Sequence, residues 1–111
     1  MEGCLFCGIV AGEVDADVVH VTERTVAFRD IHPQATVHVL VVPRDHFANA
    51  AELAAGDPVA SAEVITAAAA IAAAEGHPDD YRIVFNTGAG AGQTVFHAHG
   101  HVLAGQMKGL A

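Results

Sequence analysis

Residues 36–43, Thr-Val-His-Val-Leu-Val-Val-Pro, leave this chain little choice of local structure. Their β-branched side chains are stiff at χ1 and fit a pleated surface, and Pro33 and Pro43 bracket the run. The stretch predicts a strand over Thr36–Pro43. It is apolar almost throughout instead of alternating, which is the pattern of a strand buried on both faces. His38 alone breaks the pattern. A lone histidine there is either a satisfied core residue or a group facing a site, and what lies opposite decides between them.

A second stretch supplies something to face. His97, His99 and His101 recur at every second position between small or apolar residues. On a strand over Val95–Leu103, residues two apart share a face, about 7 Å from one to the next. Imidazoles titrating near neutral pH are poor core material, but they suit a nucleophile, an acid and a metal ligand. The glycine-rich loop Asn86–Gly92 leads into them. It reads either as a flexible hairpin connection or as a cradle of backbone N–H groups for a phosphate. It lacks the Gly-Lys-Ser/Thr of a Walker A loop and is not a Rossmann fingerprint.

The remaining elements follow from periodicity and punctuation. Leu5, Phe6, Ile9 and Val10 fit a short helix over Cys4–Ala11 ending at Gly12. Val18–Thr22 and Thr25–Asp30 read as a hairpin. After Arg44-Asp45-His46 the chain turns. Asp57 as N-cap and Pro58 at the first helical position start a long alanine-rich helix. It runs to about Glu75, before Gly76 and Pro78. Tyr81–Phe85 is a further strand, and Gln106–Ala111 reads as a tail. The sum is an α+β domain spanning 1–111: an antiparallel five-stranded meander sheet with one long and one short helix. A core of this size is modest, and a dimer would help it.

Charge narrows the partners. Five Lys and Arg against 13 Asp and Glu give a net charge of −8. That argues against nucleic acid and against docking on an anionic membrane. A small anion held by backbone N–H groups needs no basic face. No apolar run approaches the ~20 residues that span a bilayer. The N-terminus has no basic leader, so a cytoplasmic location is expected. Cys4-x-x-Cys7 is then half of a zinc site, a pair of free thiols, or a redox pair. His46 and His97 would complete the donor chemistry of a closed zinc site.

With a phosphoester or phosphoramidate at the histidines, a neutral imidazole attacks phosphorus and later leaves, so a covalent step divides a hard hydrolysis in two. His99 is the nucleophile by position. His101 is the proton donor or leaving-group partner, and His38 is a further partner if its strand lies alongside.

His97-Ala-His99-Gly-His101-Val-Leu resembles the histidine triad (HIT) signature His-φ-His-φ-His-φ-φ. The likeness extends through Phe6–Ile9, Ala27–Ile31, Pro33–Ala35, His38–Pro43, His46, Asn86 and Gly92–Val95, and is greatest to the Hint-like branch of purine nucleoside phosphoramidases. The resemblance implies homodimers whose sheets join into one of ten strands. It implies hydrolysis of AMP or GMP conjugates through a nucleotidylated His99, with His101 at the phosphate and leaving group, and His38 beside them. Asp30 falls where the family binds ribose, and Phe6, Ile9, Phe28, Ile31 and Leu40 fall on the base pocket. Asn86, Gly92, Gln93, Thr94 and Val95 fall on the phosphate side, Thr94 where many members have Ser. Cys4, Cys7, His46 and His97 look like the zinc set of several bacterial members. Cleavage or phosphorolysis of dinucleoside polyphosphates is the alternative within the family. A nucleotide- or zinc-binding interaction protein with weak catalysis is the alternative outside enzymology. Ala98 and Gly100 are smaller than usual and predict looser local packing. The Trp-Pro-Pro-Gly ending of animal members is missing from the tail.

Overall fold

The structure, a computed structural model, describes residues 3–108. A short helix α1 (Leu5–Val10) precedes strands β1 (Val18–Val21), β2 (Thr25–Arg29) and β3 (Ala35–Pro43). Helices α2 (Ala50–Gly56) and α3 (Pro58–Ala74) follow, then β4 (Arg82–Val84), a turn of 3₁₀ helix at Ala89–Ala91, and β5 (Gly100–Met107). The five strands form one antiparallel sheet in the order β1-β2-β3-β5-β4. β1 to β3 meander as expected. β5 then enters between β3 and β4, so the sheet is not a strict meander.

That insertion is what brings the two informative stretches together. β3 pairs with β5 through His38↔Leu103, Leu40↔His101 and Val41↔Gly100. Alternation along β3 then sorts its residues. Val37, Val39 and Val41 join Val102, Ala104 and the inner face of α3 in one core cluster. Leu40 and Val42 join Phe6, Ile9, Val26 and Phe28 in a second cluster under α1. Both faces of β3 are therefore buried, and His38 and His101 share the α1 side.

The start of α3 is the one predicted: the Asp57 carboxylate accepts from the Ala60 N–H at 3.0 Å and Pro58 opens the helix. Among the described residues no helix is long and apolar enough to cross a membrane.

Three expectations need correction. The turn after His46 contains α2, capped by the Asn49 side chain on the Glu52 N–H at 2.9 Å. Gly56 ends that helix directly before the Asp57 cap of α3, and a single core residue, Leu53, anchors it. The tail begins as strand: β5 runs on through Gln106 and Met107, the Gln106 N–H donates to Thr36 Oγ1 and the Lys108 N–H to the Gln34 carbonyl. The strand passes its expected end at Leu103 through a bulge at Gly105, whose φ is +78° and where a Cβ would sit 2.6 Å from Thr36 Cβ. Residues 109–111 lie outside the described residues. Finally, Gly100 is tight, not loose: a Cβ would meet the Phe85 ring at 3.1 Å, and Ala98 is buried.

Candidate active site

The expected strand over Val95–Leu103 begins only at Gly100. Residues 95–99 leave the ladder because they bond elsewhere. The Ala98 N–H donates to the Phe47 carbonyl at 2.7 Å, and the His97 ring reaches back to Pro43. The three histidines therefore do not simply line one face at even spacing. His97 is fully buried and turns into a cluster with Cys4, Cys7 and His46, while His99 and His101 face a cleft.

In the first cluster, His97 Nε2–H donates to the Pro43 carbonyl at 2.8 Å. That assigns the proton to Nε2 and leaves the Nδ1 lone pair facing the sulfurs. Nδ1 of His97 stands 3.5 Å from Cys4 Sγ, 3.4 Å from Cys7 Sγ and 3.2 Å from His46 Nδ1, and Cys7 Sγ is 3.4 Å from His46 Nδ1. A tetrahedron with bonds of about 2.0–2.1 Å to nitrogen and 2.3 Å to sulfur has edges of roughly 3.3–3.8 Å. The four donors sit close to that shape, on α1, on the β3–α2 connection and before β5. Their chemistry and spacing are compatible with zinc. Burial raises the Cys7 thiol above its ordinary range, with Cys4 adding to the effect. Burial lowers His97, against the pull of the Pro43 carbonyl.

The second cluster is ordered the other way. The Gln34 backbone N–H donates to His38 Nδ1 at 2.9 Å. A backbone N–H cannot reverse, so neutral His38 carries its proton on Nε2. That proton points at His101 Nδ1, 2.9 Å away, with Asp30 Oδ2 at 3.4 Å. His101 must then hold its own proton on Nε2. Asp30, His38 and His101 bring donor atoms within 4.8 Å of one another, as a metal site would. The proton fixed on His38 Nε2 occupies the position a cation would need, so the group is a hydrogen-bond relay. Burial pushes His101 down to about 4, helped by neighbouring His99 and His38 and opposed by Asp30. Burial also lowers His38, again against Asp30.

His99 joins the clusters. Its Nδ1–H donates to the His97 carbonyl at 2.7 Å, which frees the Nε2 lone pair. Its ring lies 5.0 Å from that of His101 and meets Phe6 edge-on at 5.0 Å.

These groups open on a cleft of about 690 Å³. Of the residues inferred from sequence, Phe6, Ile9, Phe28, Asp30, Ile31, Leu40, Thr94, Val95, His99 and His101 line it. Ile31 is a rim residue, 86% exposed. Gly92 and Asn86 are not on its wall. Gln93 is buried with its amide fully committed. Its Oε1 accepts from the Gly88 N–H at 2.9 Å, and its Nε2 donates to the carbonyls of Ala48 and Val95 at 2.7 and 3.0 Å. It staples the glycine loop, in which Gly88 and Gly92 hold φ of +87° and +94°.

Sequence reasoning missed Asp15, Asp17 and Arg29 on the cleft wall, and the backbone groups of Gln34, Pro43 and Phe47. Hydrophobic periodicity and motif spacing carry no signal for a main-chain partner, so the latter had none to find.

The comparisons with known proteins agree with this architecture. A family model described as the HIT domain matches residues 11–108. The purine nucleoside phosphoramidase of Escherichia coli strain K12 is 38% identical over 109 residues, covering 97% of this chain and 92% of its own. A 14 kDa zinc-binding protein of Zea mays is 35% identical over 104 residues, covering 92% of this chain and 81% of its own. Among solved structures, a HIT family hydrolase from Clostridium thermocellum aligns with a TM-score of 0.91 at 38% identity, covering 100% of this chain and 97% of that one. The chain belongs to the histidine triad family.

Proposed function

We propose that the chain is a nucleotide hydrolase that releases a purine nucleoside monophosphate from an amine, acyl or related leaving group through a nucleotidyl-His99 intermediate. The observation that carries this reading is the opposed proton placement on two rings 5.0 Å apart in one cleft. His99 presents a lone pair on Nε2; His101 presents an N–H. His99 Nε2 attacks phosphorus, the bond to the leaving group breaks, and His101 Nε2–H passes its proton to the departing atom, a proton that the water attacking in the second step gives back to His101. Water then attacks phosphorus and His99 departs with its lone pair restored.

The cleft wall supports the assignment of substrate parts. Phe6, Ile9, Phe28 and Leu40 offer an apolar slot for a base, with Ile31 at the rim, and Asp30 offers acceptors for ribose hydroxyls. Thr94 and Val95 border the phosphate side, Gly92 and Asn86 belong to the glycine loop that leads into it, and Gln93 acts by shaping that loop. Among the described residues the one Lys or Arg on the wall, Arg29, already contacts Glu75 and Asp17, and Asp15, Asp17 and Asp30 line the same cleft. That favours a single phosphate over a dinucleoside polyphosphate. The HIT phosphoramidase relative points the same way.

Cys4, Cys7, His46 and His97 would hold one zinc ion, which when bound ties α1 to the segment carrying His99. The zinc-binding maize relative supports this reading. We read residues 1–111 as a single HIT domain, cytoplasmic because free thiols suit a reducing compartment. A second copy added edge to edge would extend five strands to ten. The test is turnover of an AMP–amine conjugate against diadenosine polyphosphates, with and without inorganic phosphate, alongside His99→Asn. The reading holds if the conjugate is cleaved faster and the substitution abolishes cleavage. Equal turnover by the variant would sink it.

A further inference from the structure

We infer that Cys4 and Cys7 are a reversible oxidation site whose disulfide weakens the cleft chemistry through α1 and His97. Both thiols are free and half-buried. Both line an open depression of about 630 Å³ with Gly8, Ala11 and Glu13, so a small oxidant reaches them from solvent. They occupy one helical turn, with Cys4 at the N-cap in extended backbone and its Sγ accepting from the Cys7 N–H at 3.4 Å. The two sulfurs lie within 4.8 Å of one another, and the end of a short helix can shift to bring them to bonding geometry.

The consequence comes from what the sulfurs touch. Cys7 Sγ is 3.4 Å from Nδ1 of both His46 and His97. The carbonyl of that same His97 orients the nucleophile, accepting from His99 Nδ1–H. Phe6, between the two cysteines in sequence, packs on the His99 ring and on Phe28 at 5.3 Å. Drawing the sulfurs into a bond therefore disturbs His99 by two short routes. It also removes both thiolate donors, leaving His46 and His97 too few to hold a metal ion.

With hydrogen peroxide as oxidant, one thiolate attacks a peroxide oxygen, the O–O bond breaks, and hydroxide leaves as water once protonated. The second sulfur attacks the resulting sulfenic acid; the S–S bond forms, the S–O bond breaks, and a second water leaves. Two thiols and one peroxide thus give a disulfide and two waters, sulfur being oxidised and oxygen reduced. A dithiol reverses the step by exchange.

The test treats the zinc-loaded protein with peroxide. The expected results are an intact mass lower by about 2 Da from the loss of two hydrogens, zinc released to a colorimetric chelator, and loss of the hydrogen-bonded His99 Nδ1–H resonance. Turnover of the AMP–amine conjugate falls at least tenfold, and dithiothreitol plus zinc restores every signal. Cys4→Ser and Cys7→Ser each show no 2 Da loss and no reversible inactivation relative to their own untreated activity. A disulfide that leaves the His99 resonance and turnover unchanged overturns the proposal. So does oxidation straight to sulfinic acids, or reversible inactivation of either serine variant. Only the turnover readout rests on the hydrolase reading. If the reduced protein cleaves no conjugate, that reading fails, while mass, zinc and resonance still decide the switch.

Discussion

Two histidine clusters stand side by side in this molecule, and they differ in where the protons are. Around His97 a main-chain carbonyl, that of Pro43, takes the Nε2 proton, so the opposite nitrogen faces Cys4, Cys7 and His46 bare. Around His38 a main-chain N–H, that of Gln34, takes the Nδ1 lone pair, so the opposite nitrogen faces His101 protonated. The same side chain offers a bare lone pair in one place and a relay proton in the other. The backbone partner on the far side of the ring decides which. His99 touches both clusters, because it is oriented by the His97 carbonyl and lies beside the His101 ring.

The comparison breaks most visibly at His99. His99→Asn is expected to lower turnover of an AMP–amine conjugate by about 10⁴-fold, the scale of losing a nucleophile. Metal content should stay at the wild-type level. A parallel loss of zinc would mean that the two clusters are not separable.

The next test is acid. His101 is held neutral, with a folded value of about 4 against an ordinary 6.5. Below pH 6.5 the unfolded chain takes up a proton that the folded chain refuses, so stability is full above that pH and falls as pH drops toward 4. The 2.5-unit gap corresponds to about 3 kcal/mol, an order-of-magnitude figure. Buried His38 and His97, also lowered, act with the same sign. Urea unfolding at pH 7 and pH 4.5 should show the drop, and His101→Asn should flatten it.

His101→Ala is expected to cost about 10²-fold in turnover, the low end for removing an acid or hydrogen-bond donor. Its effect should be largest for the poorest leaving groups, which a leaving-group series would show. The smallest effect lies in the metal cluster. His46→Ala should abolish zinc binding in metal analysis yet lower turnover only about tenfold, the scale for residues that orient another group. It leaves the His97 carbonyl and its bond to His99 in place.

Much of this was legible in sequence because side-chain pattern speaks for side-chain contacts. The run Thr36–Pro43 read correctly as a strand buried on both faces. Asp57 and Pro58 read correctly as the start of the long helix. Donor types and the family resemblance named Cys4, Cys7, His46 and His97 as one reading of the cysteine pair, beside free thiols and a redox pair, and the structure brings all four together in a group compatible with zinc. What stayed hidden was decided by main chain or by long-range packing. Nothing in the alternation His97-x-His99-x-His101 shows that β5 starts at Gly100, since that depends on the Phe47 carbonyl capturing the Ala98 N–H. Gln93 looked like a phosphate contact, but its amide is held by Gly88, Ala48 and Val95, groups up to 45 residues away. The strand expected to end at Leu103 continues to Met107, through a bulge at Gly105 packed on Thr36.

The central claim concerns protons, and ¹⁵N NMR of the imidazole nitrogens tests it most directly. At neutral pH we predict His99 protonated on Nδ1, and His38, His101 and His97 protonated on Nε2. Finding His99 with its proton on Nε2, or His38 with its proton on Nδ1, would contradict the account.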